Sequence, residues 1–128
     1  MTLKRVLVID DDAMILEFLT YALRSFGLAA IPAGNGTEGL DKAVAEQPDL
    51  ILCDIHMPNP DGYEVRQRLA MNPRTAAIPV FAITALALPG DKEKILGAGF
   101  QGYISKPVEL EDLARTVKSA VTKDEVTR

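Results

Sequence analysis

Short apolar runs alternate along this chain with longer stretches in which apolar residues recur every three or four positions. Lys4 to Ile9 reads as a strand, and Ile15, Leu19, Leu23 and Phe26 then share one helical face that ends at Gly27. Leu28 to Pro32 reads as a short second strand. A helix follows from Asn35 or Gly36 to about Gln47, ahead of Pro48, and Asn35 with Glu38 three residues on resembles a capping box. Leu50 to Cys53 is the third strand, and Asp61 with Glu64 caps a third helix that carries Val65 and Leu69. Beyond the loop 72–75, Pro79 to Ile83 forms a fourth strand. Pro89-Gly90-Asp91 opens a fourth helix through Ile95 and Leu96, which Gly97 and Gly99 close. Gln101 to Ser105 is a fifth strand, and Leu110, Leu113, Val117 and Val121 mark the last helix.

Five strand-then-helix units with apolar strands imply a parallel sheet covered on both faces, because each crossover returns the chain to the same end of the sheet. A closed eightfold barrel needs far more than 128 residues. The fold expected is α/β: a five-stranded parallel sheet doubly wound with five helices, flavodoxin-like, its functional groups gathered at the carboxyl ends of the strands. The length suits one domain, residues 1–122, followed by a polar tail, 123–128, expected to fray. The chain could be a domain excised from a longer protein, although Met1 just ahead of a short lead-in suits a complete single-domain protein.

Composition removes several classes of function. Net charge is −4 and the 14 Lys and Arg are scattered, so no nucleic-acid-binding face is expected. No apolar run approaches the roughly 18 residues that span a bilayer, and the N-terminus lacks a secretory apolar core. A cytoplasmic protein without a membrane partner is the expectation. Cys53 is the sole cysteine, which excludes an internal disulfide and a cysteine-based metal centre; inside an apolar run it reads as a small buried side chain.

The strand ends carry the chemistry. Asp10 and Asp11 follow Val6-Leu7-Val8-Ile9, Asp54 follows Leu50-Ile51-Leu52-Cys53, Thr84 follows Val80-Phe81-Ala82-Ile83, and Lys106 follows Tyr103-Ile104-Ser105. Asp54, on a rigid strand and facing a turn-rich loop, is the candidate reactive group. Asp10, Asp11 and Asp54 would meet at one sheet edge, where they repel unless one holds a proton or a cation neutralises them. Oxygen ligands without a His or Cys cluster favour Mg²⁺, which keeps coordination free for a phosphate oxygen. With the Thr84 hydroxyl and the Lys106 ammonium, the set suits phosphoryl transfer, which demands positioning and charge neutralisation. Asp12 and Asp61 read as helix caps.

Val8-Ile9-Asp10-Asp11-Asp12, Asp54 with Met57-Pro58 and Asp61-Gly62, Thr84-Ala85, and Tyr103-Ile104-Ser105-Lys106-Pro107 run in one order over almost the whole chain. In these pieces the chain resembles the receiver domains of two-component response regulators, in their single-domain, chemotaxis-regulator-like form. The resemblance implies that Asp54 accepts a phosphoryl group from a phosphohistidine of a sensor histidine kinase or histidine phosphotransfer protein. It implies that Asp10 and Asp11 hold Mg²⁺ directly or through water, together with Asp54 and the backbone carbonyl of His56. Thr84 and Lys106 would bind phosphoryl oxygens, and Tyr103 would be an aromatic switch that alters a surface for a downstream protein target, roughly Pro89 to Val121. A cis Lys106-Pro107 bond is common in such domains. The domain would catalyse its own phosphorylation and dephosphorylation without being a turnover enzyme. His56 and Leu86 would flank the path of hydrolytic water, and an apolar Leu86 suggests slow hydrolysis.

Three rivals share parts of this pattern. A haloacid-dehalogenase-like phosphatase would use Asp10 as nucleophile and Asp12 as acid or base, but the chain lacks a late acidic pair and Asp54 would go unexplained. A flavodoxin-like electron carrier would place a hydroxyl- and Gly-rich phosphate loop where Asp10 to Asp12 stand, and would use an aromatic to stack the flavin. A receiver-like scaffold would lack a piece of the site, and none is missing.

Overall fold

Apolar runs that alternate side by side must feed two helical layers, and β1 (Arg5–Ile9) and β3 (Leu50–Asp54) do so residue by residue. In the computed structural model, which describes residues 4–85 and 88–126, Leu7, Ile9, Ile51 and Cys53 face one layer, while Val6, Val8, Leu50 and Leu52 face the other. The first layer holds α2 (Gly36–Glu46), α3 (Gly62–Met71) and α4 (Asp91–Gly97), packed through Ala43, Val65, Leu69 and Ile95. The second holds α1 (Ala13–Ser25) and α5 (Leu110–Val126), packed through Leu19, Leu23, Leu113 and Val117. Double burial explains why these strands read as unbroken apolar runs.

With β2 (Ala29–Ala33), β4 (Val80–Thr84) and β5 (Gly102–Ser105), the strands form one parallel sheet in the order β2-β1-β3-β4-β5. The winding reverses between β1 and β3, where Ile9 pairs with Cys53, so the residues following these two, Asp10 and Asp54, fall side by side. This switch point is where the crossover loops part and leave a crevice.

The helix starts follow the sequence reading in detail. The Asp12 carboxylate accepts the N–H groups of Met14 (3.0 Å) and Ile15 (3.3 Å), and the Asp61 carboxylate accepts that of Glu64 (2.9 Å). Asn35 Oδ1 accepts the Glu38 N–H (2.8 Å), but Glu38 returns to the Gly34 N–H (2.5 Å) rather than to that of Asn35, one residue further back than a capping box requires. The second strand runs one residue later than its local pattern suggests, because pairing of Arg5 with Ala29 and of Ile9 with Ala33 sets its ends. Within the polar segment 123–128, α5 continues as far as Val126, and residues 127 and 128 lie outside the described residues. Among the described residues no helix is long and apolar enough to cross a membrane.

Candidate functional site

Burial distinguishes the three acids at the switch point. Asp10 and Asp54 are buried and Asp11 is exposed, and one carboxylate oxygen from each lies within 4.8 Å of the others. Lys106, at the end of β5, reaches across to them: its Nζ donates to Asp54 Oδ1 at 3.2 Å and stands 3.7 Å from Asp10 Oδ2. The lysine backbone is tied to the sheet by its N–H, which donates to the Thr84 carbonyl at 2.9 Å. Asp54 Oδ1 also accepts the His56 N–H at 3.3 Å, and Asp10 Oδ1 accepts the Asp12 N–H at 2.9 Å.

Two buried carboxylates and an exposed third therefore cluster at one edge beside a single ammonium, which leaves negative charge uncompensated there. Burial pushes the Asp10 carboxyl above the usual carboxylate range; the Asp12 N–H holds it down, Asp54 pushes it up, Lys106 opposes, and Asp11 adds a further upward push. Asp10 Oδ2 is buried and makes no hydrogen bond. A buried acceptor without a donor, set among carboxylates, matches the demand of a hard divalent cation for oxygen ligands. The donor set fits Mg²⁺: carboxylates on one side, an exposed Asp11 edge where water can complete the coordination, and no sulfur or imidazole in the cluster.

The other expected residues fall nearby with different contacts. Thr84 is the buried last residue of β4 and pairs with Ser105, one residue ahead of Lys106, so it shares the edge of the site. Tyr103 is half-buried on β5 against the layer that contains α4, with Lys92 Nζ 6.0 Å from its ring centroid. The His56 side chain is exposed, and its observed link to the site is the backbone N–H on Asp54. Leu86 lies outside the described residues. The Lys106-Pro107 bond is cis, as the resemblance implied; Asn59-Pro60 is cis as well, which no local signal had singled out. Cys53 is buried, and burial pushes its thiol up, so it stays protonated and packs as an apolar group.

Two features escaped the reading of single residues. One is an apolar groove of about 300 Å³ beside Lys106, lined by Met14, Ile15 and Phe18 of α1 and by Pro107 and Val108. Its outer rim continues along α1 to the exposed Tyr21. The helical period of α1 was visible, but Met14 and Tyr21 lie off its buried face, and nothing local distinguishes a docking surface from scattered exposed apolar groups. The other is the packing of Gly62 under Asp54: a Cβ there would lie 2.5 Å from the Asp54 carbonyl oxygen.

Residues 6–118 match the family model described as the response regulator receiver domain. The polar-differentiation response regulator DivK of Brucella anthropi is 37% identical over 116 residues, covering 91% of this chain and 94% of the relative. A putative response regulator from Chloroflexus aurantiacus superposes with a TM-score of 0.88 at 30% identity, over 94% of this chain and 99% of that one. The receiver domain of a Pseudomonas aeruginosa sensor histidine kinase, solved with a magnesium ion coordinated in its active site cleft, superposes with a TM-score of 0.85 at 28% identity, over 94% and 98% of the two chains.

Proposed function

The chain belongs to the response regulator receiver domains, the phosphoacceptors of two-component signalling, and we propose that its acceptor is Asp54, charged in a Mg²⁺-dependent reaction. The observation that carries this reading is the placement of Asp54: buried at the tip of β3, beside Asp10 and Asp11, and hydrogen-bonded by Lys106. Receiver domains are signalling proteins, not turnover enzymes, so the reaction changes the protein itself.

In this reading a carboxylate oxygen of Asp54 attacks the phosphorus of a phosphohistidine. The P–N bond breaks as the P–O bond forms, and the departing imidazole takes up a proton. Asp10, Asp11, Asp54 and the His56 carbonyl would hold Mg²⁺, which supplies positive charge against the carboxylates and the transferring phosphoryl group. Lys106, already on Asp54, follows the phosphoryl oxygens, and the Thr84 hydroxyl donates to another. Phosphorylation adds charge and acceptor oxygens; drawing Thr84 inward lets the Tyr103 ring reorient beside α4 and alters the surface over residues 89–121. The domain catalyses both its own phosphorylation and the slow loss of the group.

The phosphoryl donor is a sensor histidine kinase or histidine phosphotransfer protein, and a downstream protein reads the altered surface. The apolar groove between α1 and the β5–α5 loop opens beside Lys106 and supports the docking of such a donor there. The reading places the protein in the cytoplasm, where ATP charges histidine kinases. Residues 1–122 form the receiver unit.

Incubation with Mg²⁺ and acetyl phosphate, followed by peptide mapping, tests the assignment. The added group should sit on Asp54 and be released by hydroxylamine, as a mixed anhydride is. Uptake by Asp54→Asn at the wild-type rate and stoichiometry overturns it. The phosphatase alternative, which would put the group on Asp10, finds no support: the match is to receivers, and the Asp12 carboxylate it needs as acid or base is engaged as the cap of α1.

A further inference from the structure

The loop between β3 and α3, residues 55–61, is gripped from two sides. On its inner side the Ile55 N–H donates to the Ile83 carbonyl (3.1 Å), while the Ile55 carbonyl accepts the N–H groups of Gly62 (2.9 Å) and Met57 (3.2 Å). On its outer side the loop rests on the first residue of α2. Gly36 is buried, and a Cβ built there would lie 2.6 Å from Pro60 Cγ, 2.9 Å from the Pro60 carbonyl oxygen and 2.9 Å from Val65 Cγ2. No positive φ calls for glycine at this position, so closeness alone calls for it.

We propose that Gly36 is a positioning residue for the metal site: by letting α2 close onto Pro60, it sets the position of the loop from which His56 presents its backbone carbonyl. The inference rests on the proposed role of that carbonyl. A methyl group at 36 is not relieved by a rotamer change, because the Pro60 ring and carbonyl move only with the loop backbone. Either the loop or α2 must shift by several tenths of an ångström. Mg²⁺ demands near-ideal octahedral geometry at short distances, whereas Ca²⁺ accepts longer and less regular ones. A displaced carbonyl therefore penalises Mg²⁺ more than Ca²⁺, which a general loss of stability does not do.

The test is calorimetric titration of the full chain with Mg²⁺ and with Ca²⁺, alongside urea unfolding, for the wild type and three variants. Gly36→Ala should weaken Mg²⁺ binding on the order of tenfold, the scale seen when groups that orient metal ligands are altered, and should lower the Mg²⁺ preference over Ca²⁺. Gly36→Ser brings the same Cβ against Pro60 and Val65 with a hydroxyl added, and should move both quantities in the same direction. Gly102→Ala is the control: its Cβ would meet Phe81 Cε2 at 2.7 Å at the start of β5, the end of the sheet opposite the site, so it should lose stability and keep its metal preference. Wild-type affinity and preference in folded Gly36→Ala, or in folded Gly36→Ser, overturns the role of Gly36. An equal loss in Gly102→Ala also overturns it. A wild-type protein that does not bind Mg²⁺ instead overturns the metal-site reading beneath it.

Discussion

Replacing Lys106 by methionine separates two things a cation can do beside carboxylates: hold them together, or compete with a metal for them. The ammonium lies 3.2 Å from Asp54 Oδ1 and 3.7 Å from Asp10 Oδ2, on a side chain that is 24% exposed. Coulomb's law gives about 5 kcal/mol for each pair at an effective dielectric near 20 and about 1 kcal/mol in water. Desolvation of the ammonium offsets most of the larger figure. Removing the lysine leaves the carboxylates with more uncompensated charge, so Mg²⁺ should bind about three- to thirtyfold more tightly, or roughly 0.7–2 kcal/mol. Phosphoryl uptake should fall about a hundred- to a thousandfold, the usual loss on deleting one preorganised donor. Lys106 also helps to hold the Asp10 carboxyl down, so its loss raises Asp10 further and lets protons compete with Mg²⁺. The gain in affinity should therefore be largest at mildly alkaline pH and shrink as the pH falls. Calorimetric Mg²⁺ titrations across pH, with acetyl phosphate uptake measured in parallel, provide the assay. Should Lys106→Met bind Mg²⁺ more weakly than the wild type, the lysine assembles the site instead of competing for it, and the reasoning fails.

Other variants probe the remaining links. The raised Asp10 carboxyl favours the folded state fully only below its ordinary value of 3.8, and that contribution is lost as pH rises through the folded value. Asp10→Asn should thus raise the Tm at neutral pH while weakening Mg²⁺ binding, and a Tm gain that does not shrink as the pH is lowered toward 3.8 would contradict this. Thr84→Ala should keep Mg²⁺ affinity yet diminish the amide chemical-shift response of residues 89–121 to beryllofluoride; a full response there removes Thr84 as the link to Tyr103. Leu52, fully buried in the layer under α1 and α5, should cost about 2–5 kcal/mol as Leu52→Ala in urea unfolding. A cost below about 1 kcal/mol would show that the two layers close over the cavity.

How much of this was legible in the chain depends on how far apart the interacting residues lie. β1 and β3 were readable because burial on both faces leaves no polar position from Val6 to Ile9 or from Leu50 to Cys53, and the acids that break the pattern, Asp10 and Asp54, therefore stand out against their own neighbours. The switch point then turns order along the chain into adjacency in space, so acids at the ends of the first and third strands meet without any further information. The ends of β2 were displaced by one residue because pairing with β1 decides them. The double reach of Lys106 and the orphaned Asp10 Oδ2 depend on distances that no spacing encodes. Gly36 is the extreme case. In Gly34-Asn35-Gly36 a glycine signals a turn, and that signal is the same whether the residue is kept small by its own backbone or by a proline ring from a distant loop. Contacts between a helix and a loop carry no period, so the groups that react can be read from a strand end, while the groups that place them emerge only once the chain is folded.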